Sequence, residues 1–463
     1  MLHVRIPEDW EYERRWAVSA VFESILGIEI QIHLGEPDRT EVYIPGATGK
    51  ITIPDVFFAQ DQGKAPIQYD RPDTKLESLD CEILDISPVL TSSTLPVLFG
   101  NSQIDTSSDD DVVVGVDIFG AAFFMLSRIE EMAGGVRDEH GRFPAAESLA
   151  CKFDFLDRPI IDEYAELLWA LCLDLWPGLT RPQHEFKILL SHDVDDALQD
   201  GFGPEGPLLA WVLKESWTSR RPDQTVTQAL DWFARRSNNY AEDPFNAFSR
   251  MMGIAEKNNI IASYNFMSGH TLGAPDGNYD IHHPFIRRLI KSVHERGHEI
   301  GFHPSYMTVE RPGMLEQEFK LLKSLCTQAG VQQSVWGGRQ HYLRFDVNNT
   351  WREWAEAGLN YDSTLGYPDR IGFRCGTCHE FQGFDLQKRA PMQLRERPLI
   401  AMDTTLFSPK YMNLKNNHSS VLQHLRKLKD SCRKMKGNFC ILWHNNNLTT
   451  DADLELMEQA IFL

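Results

Sequence analysis

No run of apolar residues in this chain approaches the ~20 that a membrane-spanning helix needs, so no integral membrane segment is expected. The opening residues, Met1-Leu2-His3-Val4-Arg5-Ile6-Pro7-Glu8-Asp9, lack the apolar core of an export signal, and a cytoplasmic location follows as an expectation. Basic residues are in deficit: 46 Lys and Arg stand against 66 Asp and Glu, a net charge of −20. That balance repels phosphate backbones and anionic headgroups, so nucleic acid is not an expected partner. Cysteine is sparse, eight residues scattered through 463, which suits a reducing compartment with most thiols buried as small hydrophobes. Cys375-Gly376-Thr377-Cys378-His379 has the spacing of a c-type haem attachment site, but that chemistry needs export, and no second C-x-x-C completes a zinc ribbon. The segment therefore reads as a loop. No H-E-x-x-H occurs, which argues against a zincin peptidase, and there is no internal repeat.

A chain of this length exceeds what one ordinary core spans, and two domains are expected. In the first, 1–180, a helical pattern from Trp16 to Leu26 stops at Gly27. Strand candidates follow at 41–45, 51–53, 95–99 and 112–116, with helices at 118–132 and 162–176. This is a small α/β module to which no activity attaches; its segment 133–143 reads as a polar loop, and Pro177-Gly178 and Pro182 mark its end. In the second, 181–463, strand candidates at 186–190, 260–267, 299–302, 334–336, 359–361, 397–402 and 438–443 alternate with helical patterns at 284–293, 314–329, 350–357 and 420–436. Strand-helix alternation of this kind is the order of parallel βα units, and about seven such units suggest a barrel. Residues 201–258, with Trp211, Trp217 and Trp232, read as a helical insertion between the first two strands.

Polar residues collect just beyond these strand candidates. Ser191-His192-Asp193-Val194-Asp195-Asp196 follows the first, and alternation along a strand puts Asp193 and Asp195 on one side, where one can bind a metal while the other takes a proton. Alone, D-x-D-D reads as a solvated turn. Here, however, Gly269-His270, His303, Arg339-Gln340-His341-Tyr342, Asp362-Ser363, Asp403 and His444-Asn445-Asn446-Asn447 follow the other strand candidates in turn. Barrel enzymes build their sites from these ends, and His303 would add an imidazole to the aspartates, a donor set for a divalent cation.

Read in order, these motifs resemble the NodB-homology polysaccharide deacetylases of carbohydrate esterase family 4, metal-dependent amide hydrolases on a distorted seven-stranded barrel, over the C-terminal three fifths of the chain. The resembling segments are Leu190 to Asp195, Gly297 to His303 in the pattern G-H-E-I-G-x-H, Arg339 to Tyr342 near R-x-P-Y, Tyr361-Asp362-Ser363, and Ile441 to His444. The resemblance implies that Asp193 is the general base, Asp195 and His303 are metal ligands, Arg339 orients the base, the backbone N–H after Arg339-Gln340-His341 helps hold the oxyanion, and His444 is the general acid. Tyr342 joins the site as the last residue of its motif. Asp117-Ile118-Phe119 and Arg128-Ile129-Glu130-Glu131 resemble the uncharacterised domain that precedes such barrels in bacterial surface-glycan gene products.

Two departures stand out. The second ligand histidine, expected four residues after His303, is Met307, a poor ligand for a hard cation. The proline of R-x-P-Y is His341, which is expected to replace it, with His270 and His192 as alternatives. The expected activity is removal of an N-acyl group, an acetyl in the first instance, from an amino sugar in surface-polysaccharide metabolism, with a divalent metal (zinc first) as cofactor and a carbohydrate as partner. The alternatives are a catalytically silent glycan-binding barrel and a hydrolase of another non-peptide C–N bond, a formamide or ureide.

Overall fold

The computed structural model describes residues 1–35, 38–60, 75–82, 90–108, 110–132, 135–199, 201 and 240–462. The protein is a mixed α/β structure. Its first part contains β1 (Leu2–Ile6), β2 (Ile30–Leu34), β3 (Arg39–Tyr43), β4 (Lys50–Pro54), β5 (Glu77–Asp80), β6 (Thr94–Val97), β7 (Gly100–Asp105) and β8 (Asp111–Val116). Six of them form a sheet of order β2-β1-β3-β4-β8-β7, and β5 and β6 form a separate antiparallel pair. Alternation decides which face packs: Val4, Val42, Ile51, Ile53 and Val114 are wholly buried. The helix Ile118–Leu126 is apolar on every side and buried on every side, so it sits in the core. Asp117 caps that helix, and its carboxylate accepts three backbone N–H groups, those of Gly120, Val56 and Phe57, each at 2.8 Å.

The second part contributes β9 (Lys187–Val194), β10 (Ser263–Phe266), β11 (Glu299–Phe302), β12 (Gly337–Gly338), β13 (Tyr361–Asp362), β14 (Phe381–Asp385), β15 (Ala390–Glu396), β16 (Ala401–Met402) and β17 (Asn438–Leu442). They lie in the order β14-β15-β13-β12-β11-β10-β9-β17-β16, parallel throughout except β14. Parallel strands end at a common edge, which is why the polar residues after them can meet. Amphipathic helices cover the outside; in Pro284–Glu295 the buried residues Ile286, Leu289, Ile290 and Val293 recur at helical spacing, with proline at its first turn and Gly297 beyond its end. A cavity of about 410 Å³ is lined by residues of β9 to β13 and by Arg397 and Cys440.

The strand count differs from expectation: seven were expected and the sheet holds nine. Of candidate 397–402 only β16 is a strand, and residues 397–400, where Pro398 has no N–H to continue a ladder, separate it from β15, a strand that lies before the candidate. The hairpin strand β14 and the last helix, Asp451–Phe462, were not foreseen. Among the described residues no ladder joins β16 back to β15, so the hydrogen-bonded sheet is open at that seam. Most of the expected insertion, including Trp211, Trp217 and Trp232, lies outside the described residues; its end forms the helix Phe248–Lys257. No helix among the described residues is long and apolar enough to cross a membrane.

The two sheets share a continuous core. Trp16 and Phe123 of the first pack against Phe384 of β14, and the Trp16 indole N–H donates to the Gln382 carbonyl at 2.9 Å. Glu131, whose side chain is 1% exposed, accepts from Arg128 Nε at 2.9 Å and from Arg374 Nη2 at 2.7 Å. The C-x-x-C-H segment is a second latch. Asp162 accepts the Thr377 hydroxyl at 2.5 Å and the Cys378 N–H at 2.9 Å, and all eight cysteines are free.

Candidate functional site

At the C-terminal edge of the large sheet, a pocket of about 420 Å³ is lined by Asp193, Asp195, His303, His341 and His444, among others. Asp193 sits at the end of β9, and its neighbour in register on β10 is Asn265. Its Oδ1 accepts from Asn265 Nδ2 at 2.6 Å and Arg339 Nη1 at 2.9 Å. Gly301 makes this possible: any Cβ there would lie 1.7 Å from Asn265 Oδ1. Burial pushes the Asp193 carboxyl pKa up, but Arg339, His303 and His444 outweigh it and hold the group below the usual carboxylate range. Arg339 is itself fixed by Ser191, Ser363 and the Ser363 carbonyl, so it presents one guanidinium edge to the aspartate.

Asp195 follows the strand and turns into the pocket. The Asn278 N–H donates to its carbonyl at 3.1 Å, and Gly277 comes so close that a Cβ would meet the same oxygen at 2.2 Å. Asp195 Oδ1 lies 3.1 Å from His303 Nε2 and 3.6 Å from His341 Nε2, and the three ligand atoms fall within 4.8 Å of one another. The oxygen is buried and has no aligned hydrogen bond. His303 Nδ1 is held 2.6 Å from the Arg339 carbonyl, so in the neutral ring that nitrogen carries the proton and Nε2 offers a lone pair towards Asp195. Burial would raise the Asp195 pKa, yet His341, His303 and His444 keep it strongly lowered. One carboxylate and two imidazoles are a donor set of the kind that binds a divalent cation, and the two aspartate–histidine distances are short enough for one ion to bridge.

The remaining expected residues divide. His341 joins Asp195 and His303, whereas His192 and His270 do not: His192 faces the other side of β9 with Nδ1 2.6 Å from the Trp443 carbonyl, and His270 is exposed with Nε2 3.1 Å from the Tyr279 carbonyl. Met307 is absent from the pocket lining, and Tyr342 is part of it. His444 Nε2 lies 3.6 Å from Asp195 Oδ2, while its Nδ1 is 2.7 Å from Asp403 Oδ1. Burial lowers the His444 pKa, but Asp403, helped by Asp195 and Asp193, overcomes this and pushes it up to about 10. Asp362 turns away from the pocket and accepts the Thr364 hydroxyl.

Sequence reasoning missed Asn265, Asp276, Arg142 and Tyr411. Asp276, its side chain 1% exposed, lies in a loop whose Pro275-Asp276-Gly277 composition signals only a turn. A second group of candidate ligands, Asp162, Cys378 and His379, is already saturated: the Asp162 oxygens take the Thr377 and Cys378 donors, and His379 Nε2 is 3.1 Å from the Met435 carbonyl.

Residues 2–177 match DUF7033, a family of unknown function. Among curated proteins no sequence match is found. Two solved structures are similar at low identity. One is a candidate polysaccharide deacetylase from Mycobacterium smegmatis, at 15% identity and a TM-score of 0.39, covering 61% of this chain and 85% of that one. The other is the Puue allantoinase, at 12% identity and a TM-score of 0.36, covering 62% of this chain and 85% of that one. At these scores neither likeness carries an assignment.

Proposed function

We propose that the protein is a metal-dependent hydrolase that removes an N-acyl group, in the first instance acetyl, from an amino sugar of a polysaccharide or surface glycan. One observation carries this reading: ligand atoms of Asp195, His303 and His341 converge within 4.8 Å, with the Asp193–Arg339 pair next to His303 and the His444–Asp403 pair next to Asp195. Asp195, His303 and His341 would hold the cation, zinc first, which supplies Lewis-acid polarisation of an acyl carbonyl and acidification of water.

The protein's own groups supply the rest. Asp193, kept ionised by Arg339, accepts the proton of the attacking water. An amide nitrogen leaves only when protonated, and His444, kept protonated by Asp403, donates that proton. Arg339 holds the base in position so that no rotamer search precedes the proton transfer.

The test is acetate release from N-acetylglucosamine oligomers by zinc-loaded protein, with metal content measured in parallel. Asp193→Asn is expected to keep stoichiometric zinc and lose at least about 100-fold in rate. Undiminished release by that variant, or a wild-type protein that retains no metal, overturns the proposal. Zinc retention without hydrolysis of any amino sugar would favour a glycan-binding role, and formate or ureide hydrolysis would redirect the substrate.

A further inference from the structure

Arg142 belongs to the segment matched by the family of unknown function, yet it lines the pocket beside Asp195 and His341. Its side chain is 4% exposed, and each guanidinium nitrogen has a partner. Nε donates to Asp138 Oδ2 at 2.7 Å, Nη1 to the Tyr342 carbonyl at 2.9 Å, and Nη2 to the Tyr411 hydroxyl at 2.9 Å. The loop is pre-formed to hold it: Asp138 Oδ1 accepts the N–H groups of His140 and Arg142, each at 2.9 Å, and the Asp138 N–H donates to the Arg142 carbonyl at 3.0 Å.

The opposite strand end returns the contact. Arg344 Nε donates to the His140 carbonyl at 2.9 Å, and its Nη1 to the Tyr306 carbonyl at 2.6 Å, while His140 Nδ1 lies 3.1 Å from the Tyr306 hydroxyl. Each arginine thus holds the backbone carbonyl two residues before the other, Tyr342 for Arg142 and His140 for Arg344. Between them lies a strained turn. Tyr342 and Leu343 have φ of 61° and 55°, left-handed values that are strained for non-glycine residues and persist only where surroundings enforce them. The residue before this turn is His341.

We infer that the loop 138–143 is a built-in wall of the hydrolytic site and that Arg142 is a positioning residue, holding the Tyr342 peptide so that His341 stays on Asp195. The inference rests on the metal-hydrolase reading above. It gives the first part of the chain a role in the second part's chemistry, and substrate entering the pocket lies against Arg142, Tyr342 and Tyr411.

The test uses the full-length protein with Arg142→Ala and Arg142→Lys, and reads zinc affinity by chelator competition, kcat and KM separately, and amide exchange in residues 340–345. Arg142→Ala is expected to weaken zinc binding and lower kcat by about tenfold each, as loss of an outer supporting contact does, and to speed exchange at Leu343 and Arg344. Arg142→Lys keeps the Asp138 pair but cannot reach both Tyr342 and Tyr411, and should fall between; it also serves if the alanine variant does not fold. A wild-type protein that binds no zinc removes the hydrolase reading, and the positioning role with it. An active, zinc-binding wild type whose Arg142 variants match it in affinity, kcat and exchange overturns the positioning role alone.

Discussion

Asp276 Oδ1 lies 3.6 Å from Nδ1 of His341, on the opposite edge of the ring from the nitrogen that faces Asp195. At this distance the two make no aligned hydrogen bond, and the carboxylate acts through its charge, which favours electron donation from the far nitrogen to a cation. Asp276 is anchored for this by the N–H groups of Tyr306 at 2.6 Å and Thr271 at 2.7 Å. Its pKa is raised by burial but pulled below the usual range by His341 and these two N–H groups.

Asp276→Asn is therefore expected to weaken zinc binding by about 10–100-fold with little change in the folded population. Chelator competition measures the first and thermal denaturation the second. Unchanged affinity would mean that His341 needs no carboxylate support, and would weaken its place as the third ligand.

His444 gives the pH dependence. Both oxygens of Asp403 hold it, Oδ1 at Nδ1 and Oδ2 at the backbone N–H, at 2.7 and 2.8 Å. Its pKa is raised from 6.5 to about 10, so the cationic form is full below the ordinary value and is lost as pH rises through the raised one. A proton-donating role then puts a falling alkaline limb on kcat/KM. A cation beside Asp195 moves that limb down without changing its direction. Asp403→Asn should move it further, by about one pH unit or more towards 6.5. A pH–rate profile with the limb in the same place would take the donor role from His444.

How much of this was legible in the sequence depended on distance along the chain. Asp193, Asp195, His303 and His444 each follow an apolar strand, and that local pattern is enough to place them on one edge. Met307 at an expected ligand position pointed to another histidine, His341 or else His270 or His192, and of these His341 lies beside Asp195. Asn265, Asp276 and Arg142 carry no such signal. Asn265 meets Asp193 across 72 residues, and Arg142 meets Tyr342 across 200. Their roles exist only once the sheets have packed. The two-residue strands β12, β13 and β16 were blurred for the same reason: neighbours on both sides, not their own periodicity, make them strands.

Glu131 offers a stability test of the junction between the two sheets. It pairs with Arg128 and Arg374, whose side chains are 0% and 1% exposed; Arg128 also has Glu130 at 3.0 Å, so the charge that Glu131 alone compensates is that of Arg374. Removing one partner of a buried ionic group leaves charge without compensation, at a cost of roughly 3–5 kcal/mol. Glu131→Ala should lose about that much in urea denaturation, and Glu131→Gln, which keeps an acceptor, should lose less. A loss under about 1 kcal/mol would show the two guanidinium groups satisfied by other partners.

Asp162 supplies the last prediction, which concerns pH and stability. Burial pushes its pKa up to about 7, against the downward pull of the Thr377 and Cys378 hydrogen bonds. In the unfolded chain the group titrates near 3.8. Between these values the native state keeps a proton that the unfolded state releases, so the native state binds more protons and unfolding free energy falls as pH rises. The contribution is full below about pH 4 and gone above about pH 7. Asp162→Asn removes the titration yet preserves the contacts, because an amide can accept the Cys378 N–H through its oxygen and donate to the Thr377 hydroxyl through its nitrogen. Comparing denaturant unfolding at pH 5 and pH 8, the wild type should lose more stability over the interval than the variant does. Equal losses would place the proton elsewhere.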